Sequence, residues 1–234
     1  MSAPPATLDL LVHGHLDVKG RLPWSSNLTF LAEVALEGAS ALTVYKPGRG
    51  ERPLWDFPPG LYKREAAAWE LSEALGWGLV PPTVVREGPL GPGSVQLFVD
   101  ADFEQHYFTL RENPAHQSAL ERICVFDLLA NNTDRKSGHC LLGQDGRVYA
   151  IDNALAFHVE PKLRTVIWDF GGQPIPEPVL ADVRQFRAAG VPKPLARHLS
   201  RAEQAALLRR ADRVVAEGRF PVDQSGQRYP WPLV

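Results

Sequence analysis

The sequence predicts an α+β fold in two lobes, because its strand signals and its helix signals are separated along the chain. Strand patterns with one helix come first, and helices with one hairpin follow. Hydrophobic residues make up 44% of the 234 residues, enough for the core of one domain or of two small lobes. We expect a single domain, with a strand-rich lobe over residues 1–99 and a mainly helical lobe over residues 100–234.

The strand-rich part is marked by short apolar runs separated by turn residues. The predicted strands cover residues 7–18, 29–36, 41–46, 80–85 and 94–99. A helix is predicted over residues 63–75, where alanines and leucines form an apolar stripe and Gly76 follows as a stop.

The second part opens with residues 118–131, which are apolar on almost every side and predict a central, buried helix. Asp145-Gly146 lies between two apolar runs, which is typical of a β-hairpin. Ser200 and Glu203 have the spacing of a capping box, so a last helix is expected to begin there and to end before Gly218.

Composition excludes several classes of protein. A net charge of −2 excludes a nucleic-acid binder driven by overall positive charge. No apolar run approaches the roughly 18 residues of a membrane span, and the first residues lack the basic stretch of a signal peptide. The two cysteines form no CxxC pair, so neither a disulfide framework nor a zinc site is expected. We therefore expect a cytoplasmic protein with no nucleic-acid partner and no stable membrane association.

The chemistry is expected in residues 126–152, where a buried helix leads through a polar turn into the hairpin. If Asp145-Gly146 forms a two-residue turn, counting outward sets His139 directly opposite Asp152. Asp134 lies on the loop that enters the hairpin. A carboxylate and an imidazole at one place can hold a divalent cation, and a second carboxylate can orient a hydroxyl group.

Part of this polar turn has a simpler structural explanation. Asn131 and Asn132 follow a helix, where such residues commonly close turns by bonding to their own backbone. Asp152 differs, because it ends a strongly apolar strand where nothing structural calls for a charge.

Residues 132–135, Asn-Thr-Asp-Arg, resemble the N-x-D-[RD]-H loop of the atypical branch of the protein-kinase-like superfamily, which holds the phosphatidylinositol 3-/4-kinases and the HipA-type kinases. Ile151-Asp152 resembles the strand that ends in their metal-binding aspartate, and residues 126–129 fit the HipA-type helix. The whole chain is similar to an uncharacterised actinobacterial family labelled phosphatidylinositol 3-/4-kinase-like. The phrases that carry this similarity are VYKP, GERPLWDFP, RExAA, PPTV, NNxDRK and KLRTV.

The resemblance implies a role for each polar residue of the hairpin region. Asp134 would position and deprotonate the acceptor hydroxyl, and Asp152 would bind the Mg²⁺ that bridges the phosphates. His139 occupies the position of the second metal ligand, where most relatives carry Asn, and imidazole prefers softer ions than Mg²⁺. Lys136 and Asn153 depart from the family pattern as well.

The resemblance also implies roles in the first lobe. Lys46, at the end of a strand, would reach the α- and β-phosphates, and an acid of the following helix would pair with it. Glu65 lies nearest the edge of the apolar stripe and is preferred over Glu70, while Glu73 faces away from the stripe. The residues expected to cover the phosphates are Gly20, Ser25, Ser26 and Asn27. The hinge residues expected to bond adenine through their backbone are Gln96, Leu97, Phe98 and Val99.

Two further features of the sequence each allow more than one interpretation. Asp169 begins a literal Asp-Phe-Gly, the metal-binding motif of protein kinases, but it lies 35 residues beyond Asp134 rather than one tight hairpin away, so Asp152 is preferred. Lys162 and Arg164 stand in the place of an activation segment, where they would either contact an anionic head group or line a solvated loop.

The predicted function is therefore that of a kinase, a transferase that uses ATP and Mg²⁺ to phosphorylate a hydroxyl group. The acceptor is not identified, and a protein Ser/Thr or a small polar molecule is preferred over a lipid, because no membrane-binding helix or polybasic tract is present. The alternative is a nucleotide-binding pseudokinase with a regulatory role, favoured by His139, Lys136 and Asn153. A third alternative is a metal-dependent hydrolase that uses His139, Asp134 and Asp152, although these residues give few ligands for a metal ion.

Overall fold

A computed structural model of the chain describes residues 5–23 and 27–234, and it confirms the α+β class. The strands are β1 (His15–Arg21), β2 (Phe30–Leu36), β3 (Ala39–Pro47), β4 (Thr83–Gly88), β5 (Gly91–Leu97), β6 (Ala101–Asp102), β7 (Cys140–Gly143) and β8 (Val148–Ala150). The α-helices are α1 (Pro5–His13), α2 (Leu61–Ala74), α3 (Tyr107–Leu110), α4 (Gln117–Ala130), α5 (Glu177–Ala189), α6 (Lys193–Ala196) and α7 (Arg201–Glu217).

The first five strands form one antiparallel sheet in the order β1-β2-β3-β5-β4. Helix α1 packs on one face of this sheet, and the residues between them form a small core that includes Leu11, Val34, Tyr45 and Val95. Side chains alternate between the faces of a strand, so Tyr45 turns into this core and the next residue, Lys46, turns to the opposite face. That opposite face is where α2 lies.

The strand predicted over residues 7–18 is wrong in its first half, which forms α1 before β1 begins at His15. The apolar residues there alternate only in part, because Leu10 and Leu11 are adjacent and both buried. Arg86 of β4 stabilises the helix end, since its Nη1 donates to the carbonyls of Leu11 at 2.9 Å and Gly14 at 2.7 Å. These partners are distant in sequence, so the local pattern alone did not predict the helix.

Helix α2 is buried on nearly all sides because it lies between the first sheet and the C-terminal helices. Arg64 of α2 forms a buried ion pair with Glu203 of α7, and its Nε donates to the carbonyl of Ala156 at 2.9 Å. Glu70 pairs with Arg197 at 2.9 Å. The helix is thus attached to the C-terminal half by charged groups as well as by apolar packing.

The C-terminal half is built around α4, whose apolar residues belong to the largest core of the protein. Strands β6, β7 and β8 form a second antiparallel sheet in that order. The predicted capping box is confirmed, because Ser200 Oγ accepts from the Glu203 N–H at 3.3 Å and Glu203 Oε2 accepts from the Ser200 N–H at 2.8 Å. The first sheet ends at Leu97 and the second begins at Ala101, while the lobe boundary near residue 99 remains a prediction. Within the described residues, every helix is too short or too polar to cross a membrane.

Candidate active site

Lys46 of β3 and Glu65 of α2 meet where the first sheet faces the helical half. Lys46 Nζ donates a hydrogen bond to Glu65 Oε1, and the Glu65 side chain is almost completely buried. Of the three acids considered on this helix, Glu65 reaches Lys46, whereas Glu70 pairs with Arg197. Glu65 occupies this position because α2 is held from both sides, so its polar edge turns towards the sheet rather than towards water.

Lys46 also bridges the two halves of the protein. Its Nζ donates to Asp152 Oδ1 at 2.8 Å, so one ammonium group contacts two carboxylates. Burial alone would lower the pKa of Lys46, but the charges of Asp152 and Glu65 together raise it above its usual value. The Lys46 ammonium in turn holds the pKa of Asp152 below its usual range. Lys46 and Asp152 are therefore both ionised at neutral pH, and the three side chains form a chain of contacts from α2 through β3 to the end of the hairpin.

The predicted register of the hairpin is wrong by one residue. Cys140 pairs with Ala150, and the Ile151 N–H donates to the carbonyl of His139 at 2.9 Å. His139 therefore lies opposite Ile151 and not opposite Asp152, which corrects the pairing expected from the Asp-Gly turn.

The loop between the strands accounts for this shift. The Gly143 N–H donates to the carbonyl of Arg147 at 2.9 Å, so three residues and not two connect the strands. Gly146 has a φ of +77°, the left-handed conformation that closes a three-residue hairpin loop. An Asp-Gly pair fits both loop lengths, so the sequence could not distinguish them.

The side chains of His139 and Asp152 nevertheless lie close together, because of the backbone conformation of Asp152 and not because of the strand pairing. Asp152 has a φ of +55°, so the chain leaves the extended conformation there and its side chain turns back towards the start of the hairpin. His139 Nε2 then lies 3.4 Å from Asp152 Oδ2. Burial lowers the pKa of His139 to about 4, which keeps its imidazole neutral at neutral pH.

Asp134 lies on the loop between α4 and the hairpin, with its carboxylate partly exposed. Its N–H donates to Asn132 Oδ1 at 2.9 Å, which confirms the turn expected of Asn132. The carboxylate has Lys136 Nζ 3.6 Å away as its cationic neighbour. Burial raises the pKa of Asp134 to about 6, and the charge of Asp152 adds to this increase while Lys136 opposes it. Asp134 is thus a carboxylate poised to exchange a proton near neutral pH.

Behind these groups lies a buried cluster that the sequence did not predict. Arg135 is completely buried and forms a bidentate pair with Asp127 of α4, with Nε and Nη2 donating at 2.9 to 3.2 Å. Its Nη1 donates to the carbonyl of Ile151 at 2.7 Å, and its Nη2 donates to Asn153 Oδ1 at 2.6 Å. The Asn153 N–H donates to Glu65 Oε2 at 2.9 Å. The cluster therefore joins the Asp134 loop, the residue after Asp152 and the partner of Lys46.

One signal could have revealed this cluster. Asp127 is the charged residue within the otherwise apolar end of α4, and a charge on a buried helix requires a partner of opposite sign. Asn153, which departs from the family pattern, is fully buried and has a partner for each polar atom of its side chain. The asparagine at position 153 is therefore accommodated by hydrogen bonds in this chain, although it departs from the family pattern.

The phosphate-covering loop is described only in part, because Ser25 and Ser26 lie outside the described residues. Gly20 is exposed at an irregularity of the β1–β2 pairing. Asn27 lies where the chain returns to β2, and its Oδ1 accepts from the Arg52 N–H at 3.0 Å. Gly20 and Asn27 thus flank the connection between β1 and β2, and their contact with phosphate remains a prediction.

The predicted adenine hinge lies at the end of β5. The Leu97 N–H donates to the carbonyl of Pro82 at 2.8 Å, and the Phe98 N–H donates to that of Leu42 at 2.9 Å. Because these two N–H groups already have partners within the protein, they are not available to adenine. The predicted contact with adenine would therefore use the other backbone groups of residues 96–99. Gln96 directs its amide to Thr83 Oγ1 at 2.8 Å. A cavity of about 300 Å³ borders Leu97, Phe98 and Val99 on the side of the β7–β8 loop.

Asp169, the aspartate of the literal Asp-Phe-Gly, lies in different surroundings. The Tyr107 hydroxyl donates to it, and Arg111 Nη1 lies 3.2 and 3.3 Å from its two oxygens. These groups line a cavity of about 490 Å³ in the helical half. Lys46, by contrast, bonds to Asp152, so the structure groups Asp152 and not Asp169 with the other candidate residues.

The basic residues after the hairpin also differ from each other. Lys162 Nζ bonds to Asp56 Oδ2 at 2.7 Å and lies over the ring of Trp55, so its charge is already paired within the protein. Arg164 is exposed, and its backbone pairs with the Asp134 loop through the Asn132 carbonyl at 2.9 Å.

The donor atoms favour some cations over others. Among residues 5–23 and 27–234, no three His, Cys, Asp or Glu side chains are gathered as a metal site. The available pair is Asp152 with His139, one carboxylate and one imidazole nitrogen. Mg²⁺ takes oxygen ligands almost exclusively, whereas a mixed oxygen and nitrogen pair suits a borderline divalent ion. The site therefore fits a divalent cation, but its donor set is not that of a dedicated Mg²⁺ site.

Comparison with solved structures identifies the fold. The chain is similar to the Golgi casein kinase with Mn/ADP bound, with a TM-score of 0.57, 15% identity and coverage of 99% of this chain and 81% of that chain. It is also similar to hydra Fam20 with sugar, with a TM-score of 0.50, 16% identity and coverage of 90% and 87%. At this level of identity the likeness establishes the fold, which is kinase-like.

Sequence comparison identifies the family. No family model matches the chain. A curated relative, "Protein Rv2133c" of Mycobacterium tuberculosis (strain ATCC 25618 / H37Rv), is 40% identical over 260 aligned positions, which cover 95% of this chain and 94% of the relative. The chain therefore belongs to the same family as this mycobacterial protein.

Proposed function

We propose that the protein is an ATP-dependent phosphotransferase that moves the γ-phosphoryl group of ATP onto a hydroxyl group. The observation that carries the proposal is the chain of charges from Glu65 through Lys46 to Asp152, which joins both halves of a kinase-like fold. In the kinase mechanism these positions belong to the residues that bind phosphate and cation. The finer assignment to the phosphatidylinositol 3-/4-kinase and HipA-type branch rests on residues 126–129, 132–135 and 151–152 and remains part of the proposal.

Each residue has a defined task in this proposal. Lys46, held in place by Glu65, would bind the α- and β-phosphates, and Asp152 with His139 would hold the divalent cation that supplies charge at the phosphates. Asp134 would accept the proton of the acceptor hydroxyl. At the same time the hydroxyl oxygen would bond to the γ-phosphorus, and the bond between the γ-phosphorus and the leaving oxygen of ADP would break. Its pKa of about 6 keeps it ionised at neutral pH and basic enough for this step.

The acceptor is proposed to be a protein Ser/Thr hydroxyl or a small polar molecule rather than a lipid. Lys162, which could have met an anionic head group, already pairs with Asp56. Nucleic acid and stable membrane association are not part of the proposal, and ATP is the proposed partner at the site.

The alternative is a nucleotide-binding pseudokinase without turnover, and the observation that favours it is His139 in place of the usual second oxygen ligand. Calorimetry with ATP, with and without a divalent cation, tests binding, and release of ADP or autophosphorylation tests turnover. Binding together with turnover supports the phosphotransferase, and binding without turnover supports the pseudokinase. Absence of nucleotide binding with every cation tested would overturn both.

A further inference from the structure

We infer that the cation of this site is a divalent transition-metal ion such as Mn²⁺ or Co²⁺ in preference to Mg²⁺, with His139 Nε2 bound to it directly. This inference deepens the proposed phosphotransferase function and rests on it for the nucleotide. The binding of the ion by His139 and Asp152 can also be measured without any nucleotide.

The hydrogen bonds of His139 decide which ring nitrogen is available. His139 Nδ1 lies 2.9 Å from the carbonyl oxygen of Asp134, and a carbonyl can only accept. The Lys136 N–H also lies near Nδ1, at the longer distance of 3.4 Å. Because the contact with the Asp134 carbonyl is the shorter of the two, we assign the ring proton to Nδ1, and Nε2 then presents its lone pair. A histidine that ligates a metal usually donates its other N–H to a carbonyl or carboxylate in this way, which fixes both the tautomer and the ring orientation.

The lone pair of Nε2 faces a second ligand atom. Asp152 Oδ2 lies 3.4 Å from it, while the other oxygen of Asp152, Oδ1, is occupied by Lys46. When neither Nε2 nor Oδ2 carries a proton, the two atoms cannot form a hydrogen bond with each other. A cation bound between them would accept a lone pair from each. Donors bound about 2.1 Å from one ion are about 3.0 Å apart at a right angle and about 3.4 Å apart at the tetrahedral angle. The observed spacing thus allows both atoms to bind one ion with little movement.

The choice of ion follows from the nitrogen ligand. Mg²⁺ requires oxygen ligands and gives up its waters reluctantly. Affinity for a site that contains nitrogen rises from Mn²⁺ through Co²⁺, so Co²⁺ suits an imidazole ligand well. Mn²⁺ favours oxygen ligands, but it accepts an imidazole nitrogen more readily than Mg²⁺, which keeps its oxygen ligands and waters. An asparagine at position 139, which most kinase-like relatives carry, would offer an oxygen and remove this preference.

The nitrogen ligand can be observed directly with Mn²⁺ as the probe. The full chain, with its histidines labelled with the heavy nitrogen isotope, is studied by pulsed electron paramagnetic resonance with Mn²⁺ alone and with Mn²⁺ plus a β,γ-imido analogue of ATP. We expect a nitrogen coupling from an imidazole that changes with the isotope and is lost in His139→Asn. The matched control is His13→Asn on α1, whose exposed side chain lies beside Asp9, and it should keep the coupling.

Calorimetry then measures the preference. In the wild type, Mn²⁺ or Co²⁺ should increase the affinity for the ATP analogue at least tenfold more than Mg²⁺ does. In His139→Asn this ratio should fall below about threefold, because the new oxygen ligand favours Mg²⁺.

The outcomes separate the two proposals. Equal affinities with Mg²⁺ and Mn²⁺, without nitrogen coupling, would overturn the inference and leave the phosphotransferase function intact. Nitrogen coupling with Mn²⁺ alone, without nucleotide binding under any condition, would support the metal ligand and overturn the proposed function. Coupling that survives in His139→Asn would assign the nitrogen to another histidine and overturn the inference.

Discussion

Two polar clusters meet at the end of the β7–β8 hairpin, and they differ in exposure. The inner cluster consists of Asp127, Arg135 and Asn153, which are fully buried. The outer cluster consists of Lys46, Asp134, Lys136, His139 and Asp152, whose side chains are 15% to 47% exposed.

This difference indicates that the inner cluster positions the loops, while the outer cluster carries the groups that would react. In the inner cluster, the bidentate Arg135–Asp127 pair and the bonds to Asn153 leave little freedom, so it holds the backbone of both loops. In the outer cluster, the Asp152 and Asp134 carboxylates retain accessible surface, and the pKa of Asp134 lies near 6. We expect changes in the inner cluster to affect folding and changes in the outer cluster to affect chemistry.

The largest effect is expected from Asp134→Asn in the outer cluster. The variant keeps the backbone bonds of Asp134 with Asn132 and His139 but loses the proton acceptor, so phosphoryl transfer should fall roughly a hundredfold to ten-thousandfold. Nucleotide affinity should change little, because the lost interaction belongs to the transition state. Autophosphorylation or ADP release measures the rate, and calorimetry measures binding. A variant as active as the wild type would show that Asp134 only shapes the turn.

Arg135→Ala breaks the inner cluster and should lower the free energy of unfolding by about 3–5 kcal/mol, because it leaves the Asp127 carboxylate buried without a cation. Urea denaturation measures the change. The control is the double variant Arg135→Met with Asp127→Leu, which removes both charges and should recover much of the stability. Wild-type stability in Arg135→Ala would contradict the structural role of the cluster.

The two aspartates 152 and 169 form a matched pair. Asp152→Ala should abolish the cation-dependent part of nucleotide binding, since it removes the carboxylate beside His139. Asp169→Ala should leave that part unchanged. It should lower stability by about 1–3 kcal/mol, because the buried Tyr107 hydroxyl loses its acceptor, while the largely exposed Arg111 pair contributes little. Calorimetry with and without cation compares them, and the reverse pattern would assign the metal to Asp169.

Lys46→Ala should weaken ATP binding at least tenfold, about 1.4 kcal/mol, because the phosphates lose their ammonium partner. The change also leaves the buried Glu65 carboxylate without a cation, so thermal stability should fall as well. The double variant Lys46→Ala with Glu65→Gln should regain stability while binding stays weak. If binding recovered together with stability, Lys46 would act only through the fold.

The smallest effect is a pH dependence. Proton acceptance requires ionised Asp134, whose pKa is raised to about 6, so the rate should be constant above this pH and fall about tenfold per unit below it. Lys136 opposes the increase in the pKa, so Lys136→Met should move the acid limb to higher pH. A rate profile that is flat down to pH values near 4 would exclude Asp134 as the titrating group.

Local patterns predicted most of the fold but not its irregular places. The helix 118–131, the capping box at Ser200 and the strands around Lys46 depend on periodicity and caps within one element, and the structure has them. The C-terminal end of helix α1 is hydrogen-bonded by Arg86, a residue more than seventy positions away, and no local pattern contains that contact. The hairpin register depends on a loop length that an Asp-Gly pair leaves open.

The residues available for chemistry can be identified from the sequence: a lysine at the end of a strand, an acid on the next helix, and two aspartates around a hairpin. Their types and spacings follow from local chemistry and from resemblance to kinases. How these residues meet depends on contacts between distant parts of the folded chain. The positive φ of Asp152 turns its carboxylate to His139 although the strand register does not pair them. The buried Arg135 links loops that are separate in sequence, because a buried charge is stable only where several elements supply its partners.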